Sequence, residues 1–103
     1  MTTSQITKEA ITRLSALGYK VWRQNNVRVH GRAFVGQLGL SDIQGYKIQG
    51  GTAIYCEVKG PGDKLSNAQI EFLWDAHNAG CFALVAHEVD GKVVIMPIAQ
   101  YNL

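Results

Sequence analysis

The sequence predicts an α/β fold, and three observations carry the prediction. Two stretches, Gln5 to Leu17 and Ser66 to Ala79, place apolar residues at helical spacing. Five stretches are rich in β-forming residues, so that the order reads α-β-β-β-α-β-β. The third strand, the second helix and the fourth strand make a crossover of the βαβ kind, which requires at least one parallel strand pair.

In the first helix Ile6, Ala10, Leu14 and Leu17 form one apolar stripe, Ser4 or Thr3 can cap its start, and Gly18 can end it. Residues 19–24, YKVWRQ, alternate as a strand does. Residues 25–36 are basic, contain two glycines, and fit either a ragged strand or a loop. Leu38 to Ile48 reads as the second strand, bent at Gly45, and Gln49-Gly50-Gly51 is turn chemistry. Thr52 to Lys59 is the third strand, broken by Gly60-Pro61-Gly62-Asp63. The second helix turns Phe72, Leu73 and Ala76 inward and ends at Gly80. Cys81 to Glu88 is an apolar strand, Asp90-Gly91 signals a hairpin, and Lys92 to Pro97 is the last strand before a short helical turn.

The chain has 103 residues, the size of one domain, with 47% hydrophobic residues. That is enough for one core without a disulfide or structural metal. Two prolines and 17% charged residues argue against disorder. No run approaches the roughly 20 apolar residues of a membrane span, and the start MTTSQITKEA has no signal-peptide pattern. Cys56 and Cys81 lack CxxC spacing and are expected to be reduced core residues of a cytoplasmic protein. The formal charge of +2 is too mild to imply nucleic-acid binding. Its location says more. Lys20, Arg23, Arg28 and Arg32 cluster around Trp22 and His30, as candidate phosphate contacts or a solvated face. Trp22 and Trp74 are read as core or subunit-interface aromatics rather than base-stacking platforms. His30, His77 and His87 show no ligand spacing and are given no role.

Side chains alternate faces along a strand, so Glu57 and Lys59 point the same way while Ile54, Cys56 and Val58 point into the core. Asp42 lies on the preceding strand, which a turn brings alongside. Two carboxylates from neighbouring strands can share one Mg²⁺, which takes oxygen ligands and keeps several waters. Such a metal lowers the pKa of a bound water, and Lys59 would orient that water and stabilise charge on phosphate. The bland readings are also physical. An E-x-K pair is usually a solvated ion pair, GxSDxxG is often only a turn, and Ser66-Asn67-Ala68-Gln69 is a capping box that needs no catalysis.

The succession GLSDIQG, a strand ending in EVK, GDKLSNAQIEFL and an AGCFALVA strand resembles the VRR-NUC nucleases of the PD-(D/E)xK superfamily. The resemblance runs from about Glu9 to about His87. It rests on Ser41-Asp42, Glu57-Val58-Lys59 and Ser66-x-x-Gln69 in that order and spacing, with Ser41 standing where the family often has Pro. It implies a restriction-endonuclease-like mixed sheet of about five strands flanked by two helices. It also implies Asp42, Glu57 and the Val58 backbone carbonyl as metal ligands, Lys59 as the catalytic lysine, and Gln69 holding the site or touching DNA. Family members tend to carry a glutamate on the first helix, and Glu9 fits that place, although the helix dipole alone favours an acid there.

The resemblance therefore implies a Mg²⁺- or Mn²⁺-dependent endodeoxyribonuclease leaving 5′-phosphate and 3′-hydroxyl ends. Stand-alone members resemble Holliday-junction resolvases, so the expectation is a homodimer selective for branched DNA, of a type frequent in phages and prophages. The rivals are a nuclease for flaps or RNA, a non-catalytic DNA-binding module that kept the fold, and an unrelated α/β protein with coincidental acids.

Overall fold

A computed structural model describes residues 1–24 and 41–101. Helix α1 spans Thr3–Ala16, and strands β1 (Tyr19–Arg23), β2 (Ile43–Lys47) and β3 (Ala53–Lys59) follow it. Helix α2 spans Asn67–Asn78, followed by β4 (Phe82–Val89), β5 (Lys92–Pro97) and a 3₁₀ turn at Ile98–Gln100. The five strands lie in the order β1-β2-β3-β4-β5. All neighbours are antiparallel except β3 and β4, the pair joined through α2. The expected crossover is therefore the single parallel step of a mixed sheet.

Both helices open with reciprocal capping boxes. In α2 the cap is Ser66 with Gln69, as the sequence implies. In α1 it is Thr2 with Gln5, one or two residues before the expected Thr3 or Ser4. Either residue type offers a hydroxyl; Thr2 is the one with a glutamine three positions on to complete the box. Of the predicted stripe, Ile6, Ala10 and Leu14 are buried, but Leu17 is exposed. The helix ends at Ala16 and Leu17 is its C-cap, so the helical spacing no longer governs that side chain. The second strand begins at Ile43, later than expected, and Ser41 and Asp42 precede it. Asp90 and Gly91 both adopt positive φ, as a two-residue hairpin turn requires.

The helices lie on opposite faces of the sheet. Ile6, Ala10 and Leu14 of α1 pack on Ile43, Ile54, Cys56, Val58, Ala86 and Val93. On the other face Leu73 and Ala76 of α2 pack on Ala83, Val85 and Ile98, with Tyr55 and Phe72 edge to face at 5.0 Å between centroids. Cover on both faces makes the centre of β3 largely apolar. Glu57 is the exception, a charged residue type at a buried position. Among the described residues no helix is long and apolar enough to cross a membrane.

Gly45 fixes how closely β1 approaches β2. A Cβ at this position would lie 1.9 Å from the Lys20 carbonyl oxygen, a backbone atom that cannot swing away. Gly45→Ala is therefore expected to destabilise the fold by about 1–3 kcal/mol, read as a lower urea midpoint, because the edge strand must move out to admit the methyl group.

Candidate active site

The register of β2 and β3 pairs Ile43 with Cys56. Continuing it by one residue sets Asp42 opposite Glu57, so hairpin geometry brings together two acids 15 positions apart in sequence. Backbone contacts hold Asp42 from two sides. Its Oδ2 accepts from the Val58 N–H at 2.9 Å, and its carbonyl accepts from the Gln24 N–H at 2.7 Å. Ser41 beside it is fully buried.

Glu57 is only 2% exposed. Its Oε1 accepts from Gln69 Nε2 at 3.1 Å. Its Oε2 is buried and has no partner. Burial first, and then the neighbouring Asp42 carboxyl, push the Glu57 carboxyl up to about 9, with the Lys59 ammonium opposing the shift. The proton belongs to the acid pair rather than to one residue. Lys59 is half-buried two residues on, on the same face by strand alternation.

Gln69 performs both tasks that the sequence sets against each other. Its Oε1 accepts from the Ser66 N–H at 2.8 Å and completes the cap, which leaves its NH₂ end to donate to Glu57. A glutamine can do both because its amide carries an acceptor at one end and two donors at the other. The two roles are experimentally separable. Ser66→Ala is expected to cost about 1 kcal/mol of stability and leave the site intact. Gln69→Ala frees the Glu57 carboxyl as well and is expected to lower cleavage by about 10–100-fold, the effect that follows if Glu57 serves as a metal ligand. Paired denaturation and single-turnover measurements on the two variants distinguish these effects.

The structure does not bring Glu9 to the acid pair. Glu9 is part-exposed on α1, across the sheet from α2, and meets Arg13 at 3.5 Å. Arg13 in turn donates to the Val93 carbonyl on β5. No group of three or more His, Cys, Asp or Glu side chains suited to a metal occurs among the described residues. Lys20 and Arg23 are exposed on the edge strand β1, whereas Arg28, Arg32 and His30 lie outside the described residues. Cys56 and Cys81 are free; Cys56 is fully buried and its thiol is pushed strongly up by that burial, while Cys81 is half-buried.

His87 has no ligand spacing in the sequence, yet β4 pairs it with Lys59. Its ring stands edge to face on Tyr101 at 5.2 Å, and its Nε2 is buried without a partner. Only the parallel register reveals this neighbour, because no local motif connects position 59 to position 87.

A mixed sheet between two helices, with paired acids and a lysine at one end, defines the restriction-endonuclease-like class. The VRR-NUC domain model matches residues 11–90, and the chain belongs to this family of nuclease domains. No curated protein matches. Among solved structures the chain is similar to Hjc of Archaeoglobus fulgidus, a Holliday junction resolvase from an archaeal hyperthermophile. The two share 21% identity with a TM-score of 0.64, over 93% of this chain and 77% of that one, a likeness of fold.

Proposed function

We propose that the chain is a divalent-metal-dependent endodeoxyribonuclease that cuts branched DNA such as four-way junctions and acts as a homodimer. The observation that carries this reading is the Asp42–Glu57 pair, two acids that the β2–β3 register sets opposite each other, with one Glu57 oxygen buried and unpartnered. Two like acids forced together in low dielectric share a proton unless a cation replaces it. The donor set is all oxygen, which suits Mg²⁺ or Mn²⁺ rather than softer metals.

Asp42 and Glu57 would hold the metal. The Val58 carbonyl is a further donor, because its N–H already points to Asp42 and a ladder residue directs both backbone groups to the same neighbour. A bound dication supplies positive charge against the phosphate and lowers the pKa of a coordinated water. Gln69 fixes the Glu57 carboxylate, and Val58 and Gln24 fix Asp42. Lys59 places an ammonium where negative charge grows on the phosphate and can orient the attacking water. One protomer carries one such acid pair. Two related cuts across a junction need two, which a two-fold dimer provides. Membership of the VRR-NUC family supports the nuclease reading, and the Hjc-like fold supports the preference for junctions.

The test is cleavage of labelled four-way junction, flap, duplex and single-stranded DNA with Mg²⁺, Mn²⁺ or EDTA. The expected result is cutting only with metal, fastest on the junction, by a protein that sediments as a dimer. Equal rates on junction and duplex would remove the branched-DNA preference, and cutting in EDTA would remove the metal.

A further inference from the structure

The half of the sheet face beyond α2 carries a feature that the catalytic reading does not use. Alternation puts Lys20 and Trp22 of β1 on the same face as Gln44 and Tyr46 of β2. The register pairs Lys20 with Tyr46 and Trp22 with Gln44, and then Gln44 with Tyr55. Tyr55 and Glu57 share this face of β3, so the four residues continue the surface that bears the acid pair. Trp22 is 45% exposed and Tyr46 43% exposed, and their rings meet edge to face with centroids 6.4 Å apart. Trp74, by contrast, packs half-buried against the α2 cluster. The expected core role therefore fits Trp74, whereas Trp22 lies outside the core.

We propose that Trp22 and Tyr46, flanked by Lys20, form a stacking platform for an unpaired nucleobase of the DNA strand held at Asp42 and Glu57. This deepens the nuclease reading and rests on it. Position supports it first. Gln44 lies two residues from Asp42, and Trp22 stands beside Gln44. Trp22 is thus about two strand spacings across and one side-chain repeat along from Glu57, roughly 10 Å by 7 Å, and Tyr46 about one spacing across and two repeats along, roughly 5 Å by 14 Å. That is within reach of nucleotides flanking a scissile phosphate.

Charge supports it as well. Strands β1 and β2 contain no carboxylate, and Lys20 is their cation on this face, because alternation sends Arg23 and Lys47 to the side covered by α1, where Lys47 lies over the Phe82 ring. Half-open aromatics next to a cation are what single strands use, the ring taking the base and the ammonium the phosphate. Bases stacked inside a duplex cannot offer a free face. The platform therefore selects unpaired nucleotides, such as those at the crossing of a branched substrate.

The test uses the full chain in EDTA, where nothing is cut. In a Trp74→Phe background Trp22 is the only tryptophan, since the chain has two. Titration with oligo-dT is expected to quench its emission saturably. Trp22→Ala and, separately, Tyr46→Ala should weaken oligo-dT binding by about tenfold and plain-duplex binding by less than about twofold, with Trp22→Phe largely restoring the former. Unchanged Trp22 emission, or oligo-dT affinity unaltered in both alanine variants, overturns the proposal. So does a Trp22→Ala protein that becomes monomeric while binding oligo-dT normally, which would make the face a contact between two copies of the chain. Binding read in EDTA is independent of catalysis. A protein that binds as expected but never cleaves with metal would overturn the nuclease reading and leave the platform standing.

Discussion

Asp42→Asn, Glu57→Gln and Lys59→Ala are each expected to slow phosphodiester cleavage by at least about 10²-fold while DNA affinity stays within a few-fold of the parent protein. The three substitutions fail for different reasons. Asparagine can still accept the Val58 N–H, so the local backbone survives, but the charge that would hold a dication is lost. Glutamine at position 57 fills the same buried volume and can still accept from Gln69, but it cannot ionise. Removing Lys59 leaves the acid pair in place and withdraws the ammonium that faces it. Because Glu57 is buried and Asp42 and Lys59 are only half-open to solvent, binding and cutting should separate. Single-turnover cleavage of a labelled junction, with binding measured in EDTA, reads both quantities. Cleavage by all three variants at the parent rate would place the chemistry elsewhere.

The second large effect is on stability against pH. In the unfolded chain Glu57 loses its proton near 4.5, and in the folded one near 9. Between those values the native state holds one proton more than the unfolded state. Stability without metal should therefore be full below pH 4.5 and fall as pH rises toward 9, by about 1 kcal/mol per pH unit. This is the reverse of the usual behaviour of a carboxylate that gains a cationic partner, whose stabilisation is lost on acidification. Glu57→Gln cannot ionise and should abolish this component of the slope, making the variant more stable than the parent in alkaline solution. Saturating Mg²⁺ should do the same for the parent protein, because a dication held by the deprotonated pair would stabilise only the native state. Urea unfolding at pH 5, 7 and 9, with Mg²⁺ and with EDTA, checks all three statements. A parent protein whose stability rises across that range in EDTA would mean that the acid pair is not strained in the way its burial requires.

Much of the fold was legible because local signals agree with the tertiary structure. The capping box at Ser66, the Asp90-Gly91 turn and the β-α-β order each have a local cause, and each is found in place. The acid pair was legible for a similar reason, since alternation and a hairpin bring Asp42 to Glu57. Glu9 shows where such reasoning stops. Its position on a helical wheel beside the apolar stripe is compatible with reaching inward, but α1 covers the face opposite α2 and its Arg13 partner leads to β5. Which face a helix covers is set by packing, not by its own sequence. His87 is the converse case, a site neighbour created by parallel register alone. The double role of Gln69 was hidden because the sequence shows one side chain, and only coordinates show that its two ends face different partners.

The most direct measurement of the central claim is Mn²⁺ anomalous diffraction from crystals of the full chain. An anomalous peak between the Asp42 and Glu57 carboxylates, absent in Glu57→Gln crystals soaked in parallel, is the expected result. Well-ordered acids with no peak between them at saturating Mn²⁺, or a peak at a different cluster, in a protein that cleaves DNA would contradict the assignment of this pair as the metal-binding centre.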